Sequence, residues 1–140
     1  LQRAIVETTV AKERLQMLRD EADVMANVKA AKQLQADGQA MIQKLQKDGP
    51  VMSIDQQENL KKRIQEKQTD LEHISRKLQT REQEVMHEIL TQQQQLARTI
   101  IQDLIKAEGI GLLLDARSAL HADTSFDITA KVTQKLNEGQ

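Results

Sequence analysis

Apolar residues recur at steps of three and four along most of the first half of the chain. This spacing places one narrow apolar stripe on a single helical face. Thr8 to Val10 forms a β-branched patch of poor helix formers, where a break is expected. We therefore predict a helix from about residue 10 to 47 and a shorter helical piece before it. The stripe consists of Val24, Val28, Ala31, Leu34, Gly38, Met41 and Leu45.

Residues 48–53 contain the clearest turn signal in the chain. Pro50 cannot continue a helix, and Gly49 can adopt the left-handed conformation that often ends one. Ser53 and Gln56 form the Ser-x-x-Gln pattern of a capping box, which predicts the start of another helix. The chain is therefore expected to reverse direction here.

The second helix is predicted from Ile54 to Glu108, a stretch without Gly or Pro. At 1.5 Å per residue it is roughly 80 Å long, which is too long for an ordinary globular helix. Its heptad register, with a step of four from Val85 to Ile89 and of seven to Leu96, predicts an antiparallel coiled coil with a local stutter. The register residues before the stutter are Ile64, Leu71, Ile74, Leu78 and Val85.

The last segment, residues 109–140, departs from the helical pattern. The run Gly111–Asp115 is typical of a short buried strand, and Ala119–Ala122 is its predicted hairpin partner across the turn Asp115–Ser118. Asp127 occupies a helix N-cap position. The residues Ile128, Val132 and Leu136 then recur at steps of four and predict a C-terminal helix.

The fold class is therefore α+β and predominantly α: a long antiparallel coiled-coil hairpin mounted on a small β module. We divide the chain into a core-proximal helical segment (1–9), the hairpin (10–108, turn 48–53) and an oligomerisation core (109–140). Two strands and one helix leave their apolar residues too little partner surface within one chain, so we expect an oligomer. Its predicted core residues are Leu112, Leu113, Leu114, Ala119, Leu120, Phe126, Ile128, Val132 and Leu136.

The composition agrees with long helices and excludes several classes of partner. The chain has 39 % hydrophobic and 29 % charged residues, one Phe and no Trp, Tyr or Cys, and with a single aromatic residue it cannot build a thick globular core. The net charge of −1 gives no reason to expect nucleic acid as a partner. No apolar run approaches the ~18 residues of a membrane span, so no stable membrane insertion is expected. Because the chain opens on Leu1, we expect the natural protein to begin upstream.

Two residue pairs have a spacing that is known from metal sites. Glu84 with His87 and Asp70 with His73 match the carboxylate-x-x-His spacing of di-metal helical bundles. Both pairs fall outside the apolar stripe, so we interpret them as surface residues and expect no metal. His121 is interpreted as structural. No phosphate-binding loop, nucleophile elbow or base–nucleophile pair occurs, and we expect neither an enzyme nor a cofactor.

The segment 111–137 reads Gly-Leu-Leu-Leu-Asp-Ala-Arg-Ser-Ala-Leu-His-Ala-Asp, then Phe-Asp-Ile-Thr-Ala-Lys-Val-Thr-Gln-Lys-Leu-Asn after Thr124 and Ser125. Preceded by a long helical hairpin, it resembles the Skp or OmpH-like family of periplasmic chaperones. Asp127, Ile128, Thr129 and Val132 match the Asp-Ile-Thr-x-x-Val ending of that family. Along the hairpin the resemblance is one of periodicity and length.

The resemblance implies a periplasmic homotrimer. Short strands, the first of them upstream of Leu1, would close into a small central barrel, and three hairpins would project as tentacles around a cavity. That cavity would hold unfolded outer-membrane proteins without ATP. Methionine adapts to varied apolar partners, and two helices alone cannot bury the turn. Possible client contacts are therefore Met25, Met41, Val51 and Met52. For Met41, a structural role in the apolar stripe is the favoured interpretation. For Val51 and Met52, client contact and exposure without a function are equally favoured.

Two other functions fit the hairpin. A structural coiled-coil spacer would need no β element, and a prefoldin-like cytosolic chaperone would place its hairpin strands differently. The terminal β module therefore favours the holdase chaperone.

Overall fold

The computed structural model describes residues 1–115 and 118–139, which are mostly helical. The α-helices are α1 (Gln2–Val6), α2 (Thr9–Asp20), α3 (Ala22–Asp48), α4 (Ile54–Glu108) and α5 (Thr129–Glu138). Short 3-10 helices cover Gly49–Val51 and Thr124–Phe126. This order confirms the predicted, predominantly α-helical hairpin, and α4 has the predicted bounds.

The chain forms two compact units. The hairpin unit, Leu18–Gln83, holds the end of α2, all of α3 and the first half of α4. The terminal unit joins Leu1–Met17 to Glu84–Gln140, and so holds α1, the start of α2, the rest of α4 and α5. The boundaries of these units differ from those of the three predicted segments. They fall within α2 and α4, and each of these helices continues from one unit into the other.

In the hairpin unit, α3 and α4 pair along a thin apolar seam. Leu60 and Ile64 on α4 are buried, whereas Leu71, Ile74 and Leu78 are half-buried. No residue of α3 is buried, because a single partner helix covers only part of its apolar stripe. The chain lacks the large aromatic side chains that would thicken such a core.

Three positions in the seven-residue repeat of α4 are polar, and each has a partner across the hairpin. The residue number of the partner rises as the residue number on α4 falls, so these contacts define an antiparallel register. The pairs are Gln57 Nε2 with the Gly49 carbonyl oxygen (2.8 Å), Lys67 Nζ with Asp37 Oδ2 (3.7 Å), and the Arg81 guanidinium with the two Glu21 carboxylate oxygens (3.0 and 2.8 Å).

The helix predicted from about residue 10 to 47 is interrupted at Glu21, which the sequence analysis did not predict. Glu21 has φ −58° and ψ 130°, an extended conformation that separates α2 from α3. Its neighbours include neither Gly nor Pro, so local propensity does not explain the break. The forked contact between Glu21 and Arg81 holds the carboxylate across the seam at this point. The earlier break, at Glu7 and Thr8, overlaps the predicted β-branched patch only at Thr8, because α2 begins at Thr9.

The turn at 48–53 is confirmed, with one correction. Gly49 has φ −48° and ψ −46°, so the left-handed conformation expected for it is wrong. Gly49 starts a right-handed 3-10 turn, and Pro50 is its second residue. The capping box is confirmed, because the Ser53 amide donates to Gln56 Oε1 (3.0 Å) and the Gln56 amide donates to Ser53 Oγ (3.3 Å).

In the terminal unit a small helical core forms where α1 and α5 pack together. The buried positions on α4 step by four from Val85 to Ile89, as the predicted stutter requires. Ala97 is then fully buried, while Leu96 is half-buried. The core side chains are small or aliphatic: Ala4, Ile5, Ala11, Val85, Ile89, Ala97, Ile100, Leu104, Val132 and Leu136.

Thr8 is the buried polar residue of this core. Its hydroxyl donates to the Ile5 carbonyl oxygen (2.8 Å) and accepts from the Ala11 amide (3.2 Å). Thr8 therefore satisfies backbone groups at the end of α1 and at the start of α2, where helices leave such groups unpaired. This hydroxyl and the Asn137 side chain, whose Oδ1 accepts from the Thr9 amide (2.9 Å), stabilise the join between α1 and α2.

Residues 110–115 and 119–123 contain no strand in the described part of the chain. The predicted hairpin is thus not formed within a single chain, and residues 116 and 117 of the predicted turn lie outside the described residues. An isolated two-stranded hairpin is marginal in water, because a strand needs further strands or a packed helix to hold it. The barrel-like core, which requires other copies, stays a prediction.

Asp127 caps the start of α5, but from one position before the predicted one: the N-cap residue is Ile128, which makes no side-chain capping hydrogen bond. Asp127 Oδ1 accepts a hydrogen bond from the Thr129 amide (2.9 Å). Hydrogen bonds from the side chain and the backbone amide of Thr129 lower the pKa of Asp127, and the nearby Arg3 guanidinium lowers this pKa further. Arg3 lies 3.6 Å from Asp127 Oδ2, so the ionised carboxylate also connects α1 to α5.

Thr8→Val should destabilise the chain by about 1–2 kcal/mol, because it keeps the shape but leaves the Ala11 amide without its acceptor. Thr8→Ser should restore most of the loss. The measurement is urea denaturation followed by circular dichroism. The matched control is Thr69→Val on exposed α4, with a change within about 0.5 kcal/mol. Equal losses in the two valine variants would contradict the capping role.

Asp127→Asn should flatten the acid limb of the stability profile. Because the pKa of Asp127 is lower in the folded chain than its unfolded value of about 3.9, the ionised carboxylate stabilises the fold above that pH. This contribution is lost as the pH falls through the folded pKa. Thermal midpoints between about pH 6 and pH 2.5 should therefore fall more steeply for the natural chain than for the variant. The control is Asp103→Asn on exposed α4; identical profiles for all three chains would refute the effect.

Candidate functional site

Two sets of residues account for most of the large apolar side chains that the described part of the chain leaves in solvent. The first, which we name the tail surface, lies in the terminal unit. Leu112 is 73 % exposed, Leu113 is 42 % exposed and Phe126 is 78 % exposed, although they are among the most apolar residues of the chain. The whole tail surface consists of Leu112, Leu113, Leu114, Leu120 and Phe126.

The sequence holds the first half of the tail surface at the end of α4. Gly109 has φ 62°, a left-handed conformation that suits glycine because it has no Cβ. The Ile110 amide then donates to the Ile105 carbonyl oxygen (3.0 Å), which is the bond that closes a Schellman motif. The Lys131 ammonium lies 2.8 Å from both Glu108 carboxylate oxygens and links α5 to this end of α4.

A second local motif holds Phe126. Asp123 Oδ1 accepts from the Ser125 amide (2.8 Å) and caps the 3-10 turn Thr124–Phe126. Hydrogen bonds from the Ser125 backbone amide and side chain lower the pKa of Asp123, so its carboxylate stays ionised at neutral pH. The Phe126 amide donates to the Asp123 carbonyl oxygen (3.0 Å). The ring is therefore held in solvent by a capped turn.

The other predicted oligomer-core residues lie elsewhere. Val132 and Leu136 are buried inside the terminal unit, where α5 packs against α1. The Thr133 hydroxyl fixes this packing by donating to the Ala4 carbonyl oxygen (3.0 Å). Ala119 and Ile128 are half-buried. A role for these four apolar residues between subunits stays a prediction, and the single chain already covers two of them.

The second set of exposed apolar residues lies on the hairpin unit. Val51 is 87 % exposed at the turn, while Met52 and Met41 are half-buried. Ile54, which the sequence analysis did not select, is 74 % exposed. The exposure of Ile54 could have been predicted from its position directly after the capping residue Ser53. A side chain in the first turn of a helix after a tight reversal can point away from the preceding helix.

Met25 is also exposed, and it lines a shallow groove of about 650 Å³ in the hairpin unit. Met25 was predicted from the sequence as a client contact, but the groove was not. The usable signal was the spacing of Met25, Val28 and Lys32 by three and four, which places them on one side of α3. The lining residues are Arg19, Val24, Met25, Val28, Lys29, Lys32 and Gln33.

The candidate metal pairs do not converge. Asp70, His73, Glu84 and His87 are all exposed along α4, and His121 is exposed in the tail segment. Within residues 1–115 and 118–139, no three His, Cys, Asp or Glu side chains form a group that fits a metal ion. In the same part of the chain, no helix has the length and apolar character that crossing a membrane requires.

The chain shows no match to a curated protein or to a solved structure. It does match the family model described as Outer membrane protein (OmpH-like), over residues 1–136. This match covers the hairpin unit, the tail surface and nearly all of α5. The chain belongs to the OmpH-like family, whose members as a group are periplasmic chaperones of outer-membrane proteins.

Proposed function

We propose that this protein is an ATP-independent periplasmic holdase that assembles as a homotrimer and encloses unfolded outer-membrane proteins between its hairpins. The observation that carries the proposal is the OmpH-like match over residues 1–136. The match includes both the hairpin and the tail segment. A trimeric holdase would use the hairpin to enclose a client and the tail segment to assemble, so the match supports both parts of the proposal.

The tail surface supports assembly. Its five large apolar side chains all lie between residues 112 and 126, and each is exposed in the described chain. Exposed apolar clusters of this kind mark interaction sites, because apolar area in water costs about 25 cal/mol per Å². Copies of the chain that pair residues 110–115 and 119–123 as strands would cover this area and satisfy the backbone groups of the strands.

The hairpin unit supports client binding. Its described residues hold the two paired helices together through a thin seam and leave Val51, Ile54 and Met25 in solvent. Such isolated apolar contacts are weak singly, so they bind a long unfolded chain only when several act at high local concentration. Three hairpins around one cavity provide that concentration without ATP.

A structural coiled-coil spacer is the alternative function. The exposed turn residues do not favour it, because a spacer gains nothing from apolar side chains such as Val51 and Ile54 in water. The family match also assigns the chain to chaperones. Assembly and client holding are therefore tested separately.

Leu113→Asp should abolish the trimer and leave the helices intact. In the single chain Leu113 is exposed, so the aspartate is tolerated there, whereas a trimer would bury its charge without a partner at a cost of several kcal/mol per subunit. Sedimentation at micromolar concentration should show monomers, and circular dichroism should show unchanged helix content.

The matched control is Val51→Asp, which adds the same charge at the exposed turn and should leave the trimer intact. A stable trimer of Leu113→Asp would show that the tail surface is not between subunits. A natural chain that sediments as a monomer would overturn the assembly part of the proposal.

Shortening the hairpin should remove client holding and keep the trimer. Deleting 27–47 and 58–78 takes about three heptads from each helix and so preserves the seam phase, and the native turn remains. The tail surface is untouched, but the shortened hairpins no longer enclose a client. Turbidity of an unfolded outer-membrane β-barrel protein, diluted from urea without ATP, should rise as it does without chaperone.

The full-length chain is the control in the same assay and should suppress the turbidity. A shortened trimer that protects the client equally well would overturn enclosure by the hairpins. A full-length chain without protection would favour the spacer function.

A further inference from the structure

Two stretches of the tail lack the backbone pairing of a helix or a strand. Residues 110–115 and 119–123, which we name the tail stretches, form neither element in the described chain. Within residues 1–115 and 118–139, the amides of residues 111–114 donate no backbone hydrogen bond. These amides can therefore pair with another extended chain, as the groups of an exposed strand edge do.

The same stretches carry exposed aliphatic side chains. Leu112 is 73 % exposed, Leu114 is 59 % exposed and Leu120 projects fully into solvent. In an extended chain Leu112 and Leu114 would lie on one side, because successive side chains point to opposite faces. The tail stretches therefore offer an unpaired backbone and apolar side chains at the same place.

Other exposed apolar residues of the described chain lack this combination. Met17 and Met25 are 61 % and 54 % exposed, close to the exposure of Leu114. They lie within α2 and α3, where helical hydrogen bonds occupy the backbone. The hairpin turn is fixed by its capping box and by Gln57 Nε2, which donates to the Met52 carbonyl oxygen (3.3 Å). Side-chain exposure alone therefore does not distinguish the tail stretches, but their backbone does.

An unpaired backbone and an apolar side chain are together what an endoprotease recognises. Such an enzyme holds its substrate as an added strand through main-chain hydrogen bonds, and it places one side chain in a primary pocket, which is apolar in chymotrypsin. A helix cannot be held in this way until it opens locally. Exposed segments outside helices are accordingly the preferred sites of proteolytic cleavage.

We infer that the tail stretches are the site at which an endoprotease with an apolar primary pocket cleaves the unassembled chain. The inference rests on the proposed function and adds a control on the supply of subunits. Cleavage after Leu112 or Leu120 adds one water across the next peptide bond, leaving a carboxylate on the leucine and an amine on the following residue. The reaction consumes only water.

Assembly removes this site, because the partner copies use the same groups. In the proposed trimer, residues 110–115 and 119–123 pair as strands, so their amides are no longer open to a protease. Protease and partner copies thus compete for one segment, and the rate of cleavage follows the population of unassembled chain. A cut inside the strands also prevents that copy from assembling later.

The elements beside the tail stretches end in local motifs of their own. The Schellman turn at Gly109 ends α4 before the first stretch, and the Asp123 carboxylate caps the 3-10 turn that follows the second. Val132 and Leu136 are buried where α5 packs against α1. A protease can therefore bind the tail stretches without first unfolding a helix.

The test digests the natural full-length chain with chymotrypsin, at a concentration where sedimentation shows monomers, and follows each cut by mass spectrometry. Each rate is divided by that of the same bond in the urea-unfolded chain, which removes the sequence preference of the enzyme. Cleavage after Leu112, Leu114 or Leu120 should then be at least about tenfold faster than after Met17 or Met25, because the helical sites must open first. Equal rates at the leucines and at the two methionines would overturn the inference.

Assembly should protect the tail stretches. At a concentration where sedimentation shows trimers, cleavage of the natural chain after Leu120 should slow by at least about tenfold. Leu113→Asp, which is expected to stay monomeric, should keep the fast rate at the same concentration. Leu113 lies seven residues before Leu120, roughly 23 Å along an extended chain, so the aspartate is too distant to touch the cleaved bond. Val51→Asp is the matched control and should be protected as the natural chain is.

Sedimentation of the same samples separates this inference from the proposed function. A trimer whose tail stretches are cleaved as fast as those of Leu113→Asp would overturn the inference and leave the proposed assembly standing. A natural chain that sediments as a monomer at every concentration would overturn the proposed assembly, and with it the protection of the tail stretches.

Discussion

The structure depends on the polar side chains that interrupt the apolar seam of α4. A two-helix seam of aliphatic residues is nearly the same at every heptad, so apolar contacts alone permit the helices to slip by seven residues. Gln57, Lys67 and Arg81 reduce this freedom, since each makes a polar contact at a defined place across the hairpin. Polar residues at seam positions commonly reduce stability and specify register in this way. The turn, the groove and the exposed apolar positions of the hairpin unit all follow from this register.

The same thin seam determines what stays exposed. With one Phe and no Trp or Tyr, the chain has no large side chains that reach across two helices and cover their flanks. No α3 residue in the hairpin unit is buried, and Met25 and Val28 beside the seam remain partly in water. A hairpin of this composition is stable enough to hold its register and still presents apolar side chains along its length. Under the proposed function, these side chains are the ones that meet a client.

Local rules predicted the long helices because the decisive signals lie within a few residues of each other. Ser53 and Gln56 form their capping box as the pattern indicates, and α4 has the predicted bounds. The break at Glu21 was missed because no Gly or Pro marks it, and the contact made there is with Arg81, sixty residues away in sequence. Gly49 was assigned the wrong conformation because glycine permits a left-handed residue but does not require one, and Pro50 favours the right-handed turn.

The tail segment was harder to predict for a different reason. Its apolar run has the composition of a buried strand, but a strand needs a neighbour, and the single chain supplies none in the described residues. The sequence pattern predicts that Leu112, Leu113 and Leu114 are buried. It does not predict whether the same chain or another molecule buries them. The apolar residues of α5 differ from those of the tail segment in this respect. Val132 and Leu136 are buried where α5 packs against α1 of the same chain. An apolar segment whose local motifs are formed, but whose side chains stay in water, is best explained as half of an interface. Under the proposed function, the cap at Asp123 and the Schellman turn at Gly109 would hold this segment in position for the other subunits.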